Sequence, residues 1–307
     1  MNRMQQLAGE KYQKHTAVAM LIGAMSLAGS SVVAGKMLVA TVPVFLAAFG
    51  SLLVAFACMV PLMYGRFHEV RLLTRREWFY LFLQGLCGIV LFRVFTLYGL
   101  HSTGAMQAGI ITGTTPAVLA VLSLLLLGER LSARATLGVI LAMAGCLVIN
   151  IFAQGGGEGV GNSPIGSLLV GAAVVCEALF TIFRKRIAQT VSATVNTAVL
   201  IFCSLLLLAI PAAWDLYHLT AAVSPAALLA ILYYGVFATV IAYLLWTAAV
   251  GRVNGATAGA ATAAMPASSV LLAVLLLGEQ LHWHHLAGCL LIIAGIFITS
   301  GLCGKST

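Results

Sequence analysis

Ten apolar runs follow one another along the chain, at roughly 16–36, 43–64, 78–100, 104–127, 133–152, 165–184, 194–214, 225–249, 255–277 and 284–303. A helix rising about 1.5 Å per residue needs about 20 such residues to cross the hydrocarbon core. The runs are continuously apolar and do not alternate, which excludes a membrane barrel, and open strands would leave unpaired backbone groups facing lipid. The pattern predicts an all-α membrane protein of ten transmembrane helices. The first run follows a polar stretch with Arg3, Lys11 and Lys14, as in a signal peptide. It is long and nine further spans follow, so it is expected to be retained.

The polar residues between the runs orient the bundle. With the N-terminus inside, 14 of the 16 Lys and Arg fall on cytoplasmic segments; Lys36 falls outside and Arg93 lies within the third span. Positive loops stay cytoplasmic, so both termini are predicted there, in an inner (plasma) membrane. The longest interruption, Gly155 to Pro164, is glycine-rich and sits at the midpoint. It reads as a linker (153–164) between two halves, 16–152 and 165–303. A shift of 150 residues aligns 108–150 with 258–300 at 16 of 43 positions, including Pro116 with Pro266, Glu129 with Glu279, Gly138 with Gly288 and Gly145 with Gly295. The chain is an internal duplication. Five spans per half is odd, so the halves should be inverted repeats, as recur in secondary transporters.

Composition agrees: 62% of the 307 residues are apolar and 8% charged, against about 25% charged in soluble domains. The net charge of +8 comes from basic residues between apolar runs, not from a patch interleaved with aromatics, which excludes nucleic-acid binding. The seven cysteines are spread singly, without metal or redox spacing.

The stretch from Tyr98 through GLHSTGAMQAGIITGTTPAVLAVLSLLLLGERL to Leu131 resembles the end of an EamA domain, the repeat of the drug/metabolite transporter superfamily. A second copy, NGATAGAATAAMPASSVLLAVLLLGEQL, runs from Asn254 to Leu281. The resemblance covers residues 16–302. It implies ten helices, a central cavity lined mainly by spans 1, 3, 4, 6, 8 and 9, and export of amino acids or related metabolites. Each half of the family often opens with a tryptophan near mid-helix. Here Ala28 stands in the first half and Glu177 in the second, which points to a roomier, more polar cavity.

Glu177 is the one acid placed inside a span. Intramembrane ionisable groups are costly and face a cavity or a partner, so Glu177 is a candidate proton-coupling site or counter-ion for a substrate amine; a packing role is the alternative. Arg93 is a candidate for binding a substrate carboxylate, against snorkelling or a contact with backbone carbonyls. Counted from the cytoplasmic ends of their spans, the two differ in depth by about 12 Å. Tyr98, Tyr243 and Trp246 could stack on substrate or anchor helices at the interface. Gln107, Thr112, Thr115 and Thr262 are candidate polar groups of the cavity. Gly109, Gly113, Gly255 and Gly259 have the spacing that lets helices approach closely, and Pro116 and Pro266 are expected to kink theirs. Glu129 and Glu279 read as turn or cap residues. The run His282, Trp283, His284, His285 lacks companion ligands and reads as a helix cap, so no metal is expected.

The expected function is a secondary transporter that exports a small polar or amphipathic metabolite by alternating access, with protons as a candidate coupling ion. An opine-like metallophore or a cationic drug is the alternative cargo. No cofactor is expected, and the bilayer is the remaining partner. Outward-facing small residues on the fifth and tenth spans would permit a homodimer. An intramembrane enzyme is disfavoured: Asp215 is the only aspartate, no His-Glu-x-x-His occurs, and His101-Ser102 lacks an orienting carboxylate.

Overall fold

Helix boundaries fall where the sequence stops being apolar or supplies a cap. The computed structural model describes residues 13–30, 42–102, 111–152, 164–187, 191–219, 223–277 and 283–300, all of whose regular elements are helical. We number them α1 (13–30), α2 (Val44–Leu62), the short α3 (Phe67–Leu72) and α4, which runs Arg75–Gly85, passes through a π-helical stretch Leu86–Leu91 and continues as Phe92–Ser102. Then come α5 (Thr115–Leu127), α6 (Ala133–Phe152), α7 (Pro164–Arg186), α8 (Ala193–Tyr217) and α9. Helix α9 runs Pro225–Tyr233, π-helical Tyr234–Ile241 and Ala242–Val250. The last are α10 (Gly255–Thr262), α11 (Ala264–Leu277) and α12 (Trp283–Ser300). Lys36, Gln107, Gly109, Glu279, His282 and the linker up to residue 163 lie outside the described residues.

The caps are local and legible. Thr74 and Glu77 form a reciprocal capping box at the start of α4, and Ser192, Ser224 and Asn254 accept from the third backbone N–H of α8, α9 and α10. Gly128 ends α5 with a left-handed φ of 68°, which a side chain would oppose. The expected proline kinks take another form. The chain breaks its helix at 113–114 and again at 263, positions related by the 150-residue shift. Pro116 and Pro266 then occupy the first turns of α5 and α11, where a missing N–H costs no hydrogen bond.

The helices pack in antiparallel pairs across the two halves. On α6 and α12, a Cβ at Gly138 would lie 2.7 Å from the Gly295 carbonyl oxygen, and one at Gly145 would lie 2.6 Å from that of Gly288. Numbers rise on one helix as they fall on the other, and the four glycines are repeat equivalents meeting crosswise. Helices α2 and α8 do the same: Phe45 and Leu46 donate backbone N–H bonds to Asp215, while Phe56 meets Phe202 with ring centroids 5.8 Å apart. Helix α4 descends α7, with Gly88 against Phe180 and Gly99 against Val170. Its counterpart α9 descends α1, with Tyr233 bonded to Ser30 and Leu245 beside Gly23. On α5 and α10, Ser123 meets Gly255 and Pro116 meets Gly259. Gly138, Gly145, Gly288 and Gly295 are therefore used within the chain and do not face outward.

The solvent preference of the exterior is inverted relative to a water-soluble fold. Ser51, Gln84, Thr181, Asn196, Thr197, Ser204, Thr247 and Thr257 are buried, while Leu168 and Ile210 are 74% and 82% exposed. Polar groups hidden inside and apolar side chains presented outside are what lipid selects. Among the described residues six helices are long and apolar enough to cross a membrane: Val44–Leu62, Arg75–Thr96, Pro164–Arg186, Ala193–Tyr217, Pro225–Val250 and Trp283–Ser300.

The crosswise glycines give the first expectation. Gly138→Val forces atoms into a backbone contact and should cost about 1–3 kcal/mol, read as a lower melting temperature in detergent. Gly171→Ala, with nothing within 4 Å of the added carbon, should leave it unchanged.

Candidate functional site

Five of the ten predicted spans contribute to one cavity of about 170 Å³. Met25 and Ala28 come from α1, Gly88, Phe92 and Arg93 from α4, and Glu177, Phe180 and Thr181 from α7. Helix α9 supplies Tyr234, Thr239, Tyr243 and Trp246 among others, and Thr262 and Met265 flank the break between α10 and α11. The π-helical stretches of α4 and α9 both border the cavity. Such stretches insert a residue into the helical count and turn the following side chains. Those side chains include Arg93 and Tyr243, which are repeat equivalents.

The two intramembrane charges share this cavity. Antiparallel register sets their depth: with Gly88 beside Phe180 and Gly99 beside Val170, Arg93 comes level with Val175, two residues from Glu177. At helical rise that is about 3 Å along the pair, which corrects the 12 Å separation. A count from level helix ends misplaces Arg93 because, in this register, the start of α4 extends beyond the end of α7. No direct ion pair joins the two among the described residues. The Arg93 guanidinium instead lies 5.4 Å from the centre of the Tyr234 ring, a cation–π distance. The Thr115 hydroxyl is 2.8 Å from the Thr112 carbonyl oxygen and 3.3 Å from a Glu177 carboxyl oxygen. It has one proton for two acceptors, so an ionised Glu177 competes for that proton, while a protonated one donates its own to the hydroxyl oxygen.

Aromatic rings complete the wall. Phe180 meets Tyr243 edge-on at 5.6 Å, and the buried Trp246 indole N–H has no acceptor among the described residues. Of the residues picked from the sequence, Glu177, Arg93, Tyr243, Trp246 and Thr262 line the cavity and Thr115 touches Glu177. Tyr98 does not: it lies on the exterior, 58% exposed. Thr112 is exposed, and its carbonyl accepts from the Thr115 hydroxyl. Gly113 is buried at the helix break. Gly255 and Gly259 seat α10 on the backbone and Ser123 of α5, and Pro116 offers the carbonyl against which Gly259 rests. Sequence reasoning missed Tyr234, Phe180, Thr181 and Thr239. Phe180 and Thr181 lie three and four residues after Glu177, on its helical face, and were findable; Tyr234 depends on the π-helical stretch and was not.

A second polar cluster lies at the Arg184 end of α7. Glu129 accepts from the Lys185 ammonium with one carboxyl oxygen and from the Gly255 backbone N–H with the other. Arg186 donates to the Leu126 carbonyl. Glu129 thus caps α10, with Asn254, and ties both to α7. Histidine 284 is buried, and no group of three metal-ligating side chains occurs among the described residues.

An all-helical bundle with an apolar exterior and charges facing an internal cavity defines a multi-pass protein of the plasma membrane. A profile of the EamA-like transporter family matches residues 15–151 and again 164–301. The uncharacterised transporter YetK of Bacillus subtilis (strain 168) is 35% identical over 91% of this chain and 85% of its own length. A probable amino-acid metabolite efflux pump of Salmonella typhimurium (strain LT2) is 31% identical over 55% of this chain and 58% of its own. A solved crystal structure superposes with a TM-score of 0.76 at 20% identity, covering 92% of this chain and 96% of that one. The chain belongs to the EamA-like transporter family. Membership speaks for a transporter over an enzyme.

The Glu129 cluster gives the second expectation. Lys185 is nearly buried, so Glu129→Gln strips a low-exposure cation of its partner and should cost about 2–4 kcal/mol. Glu69→Gln, whose partner Arg66 is half exposed, should cost at most about 1 kcal/mol. Paired melting curves in detergent decide; equal shifts would remove any special place for Glu129.

Proposed function

We propose that this chain is a secondary transporter of ten spans that exports a small zwitterionic metabolite, an amino acid or an amino-acid-derived compound, by alternating access. Residues 16–152 and 165–303 form two inverted repeats joined by 153–164, with both termini cytoplasmic. The antiparallel, crosswise meeting of repeat-equivalent helices supports the inversion, and the basic loops support the orientation.

The observation that carries the reading is the placing of Arg93 and Glu177 on one small cavity without an ion pair between them. Opposite charges kept apart suit a cargo that carries both. Arg93 and the Trp246 N–H take the carboxylate, Glu177 takes the ammonium, and Tyr234 and Tyr243 close on the carbon skeleton. A cationic drug would use Glu177 and leave Arg93 without a role. At about 170 Å³ the cavity lies below the ~300–1,000 Å³ of drug-sized pockets, which favours an amino acid over a bulky metallophore. The relative from Salmonella typhimurium, a probable amino-acid metabolite efflux pump, points the same way. Glu177 doubles as the proton carrier, because its contact with Thr115 changes donor when the carboxyl gains a proton.

The test compares metabolites in the medium of cells making wild type, Glu177→Gln or Arg93→Gln at matched membrane abundance. Wild type should enrich one class of amino-acid-like compound outside, and each variant should lower that enrichment about tenfold or more, as loss of one buried charge contact does. An imposed pH gradient should shift accumulation by wild type and not by Glu177→Gln. Equal export by all three would refute the site, and an unchanged medium with wild type would refute export of this class.

A further inference from the structure

We propose that Arg184, with Gln84 and Asn196, forms a second binding station on the cytoplasmic side of the cavity, which takes the carboxylate of the cargo before Arg93 does. The proposal rests on the transporter reading above.

Each of the three residues is buried, Arg184 to 3% exposure and both amides completely. Their hydrogen-bonding capacity is nonetheless largely unused. The Asn196 amide donates to the Gln84 carbonyl oxygen at 3.4 Å. Arg184 Nε and Nη1, Gln84 Nε2 and Asn196 Oδ1 have no hydrogen-bond partner among the described residues. A buried guanidinium without a counter-charge is among the costlier things a fold can hold. Its neighbours on the helix are engaged, Lys185 with Glu129 and Arg186 with the Leu126 carbonyl. Snorkelling does not account for Arg184, since a snorkelling head reaches water.

Position ties these groups to the cavity. On α7, Glu177, Thr181 and Arg184 follow at steps of four and three, one helical face, and the first two line the cavity. On α4, Gln84 lies just before the π-helical stretch, one turn below Gly88, which lines the cavity with Phe92. Gly88 against Phe180 puts Gln84 level with Arg184 in the antiparallel count. Both walls therefore continue toward the cytoplasm and end in unpaired polar atoms at one depth, sealed in this conformation. Arg184 and the Gln84 amide offer N–H groups to a carboxylate, and Asn196 Oδ1 offers an acceptor to an ammonium. Opening the seal toward the cytoplasm would give these atoms the partners they lack.

The experiment reads access and charge without requiring a known cargo. Asn196→Cys is placed in the full-length chain with its seven native cysteines replaced, and inside-out vesicles are treated with anionic or cationic methanethiosulfonate reagents. Cys at 196 should react from the cytoplasmic face, the anionic reagent about tenfold faster after correction for a free thiol. Adding Arg184→Gln should bring the two rates to parity, and Arg184→Lys should keep the preference. If the cysteine-free chain does not insert, the comparison is made on the native-cysteine chain with parental labelling subtracted. No reaction from the cytoplasmic face, or equal rates with Arg184 present, overturns the station. Export by wild type together with either result would overturn this proposal alone, whereas labelling as expected without export would leave the station and overturn its cargo.

Discussion

A backbone N–H or C=O left unpaired in hydrocarbon is too costly to keep, and the irregular backbone around the cavity answers to that constraint. The π-helical stretch of α9 and the two helix breaks release carbonyl groups there. Hydroxyls take them: Thr239 donates to the Tyr234 carbonyl, Thr114 and Thr115 to those of Ile111 and Thr112, and Thr262 to that of Gly259. These threonines lie at or beside the cavity, where irregular backbone is covered by protein and not by lipid. The site is polar in large part because the backbone around it had to be repaired.

The same constraint governs charge. Glu177 and Arg93 are kept within one cavity but not in contact, so each retains part of its capacity for a ligand. Arg93 rests on the Tyr234 ring and Glu177 on the Thr115 hydroxyl, partners that stabilise a charge without neutralising it. A direct salt bridge would have satisfied both and left a cargo little to replace.

Six of the spans and the place of Glu177, Arg93, Tyr243, Trp246 and Thr262 on the cavity could be read from the chain, because each rests on a local signal: hydropathy, or a charge or polar group in a hydrophobic stretch. What could not be read depends on how helices meet. Tyr98 follows Arg93 closely in sequence, but the turn of α4 carries it to the exterior. The depth of Arg93 relative to Glu177 depends on where α4 slides along α7, which Gly88 and Phe180 fix and no single-helix count contains. Pro116 and Pro266 signalled an interruption correctly in place but not in form, since the break precedes each proline and the ring then starts a new helix. Gln107 and Gly109 remain sequence expectations.

The pairing of helices bears on how such a bundle could move. Exchanging the two halves carries α2·α8 and α6·α12 onto themselves, but carries α4·α7 onto α9·α1. The self-related pair α6·α12 is locked glycine to backbone, with no room for a methyl group. The exchanged pairs are unequal. Between α4 and α7 a Cβ at Gly88 would overlap Phe180, whereas between α1 and α9 a Cβ at Gly23 would lie an ordinary 3.8 Å from Leu245. The two pseudo-equivalent interfaces, both on the cavity, are thus packed differently. Glu129 falls into place on the same reasoning: it joins α7 to the start of α10 at the Arg184 end, so separating those helices must first release Lys185 and the Gly255 N–H together.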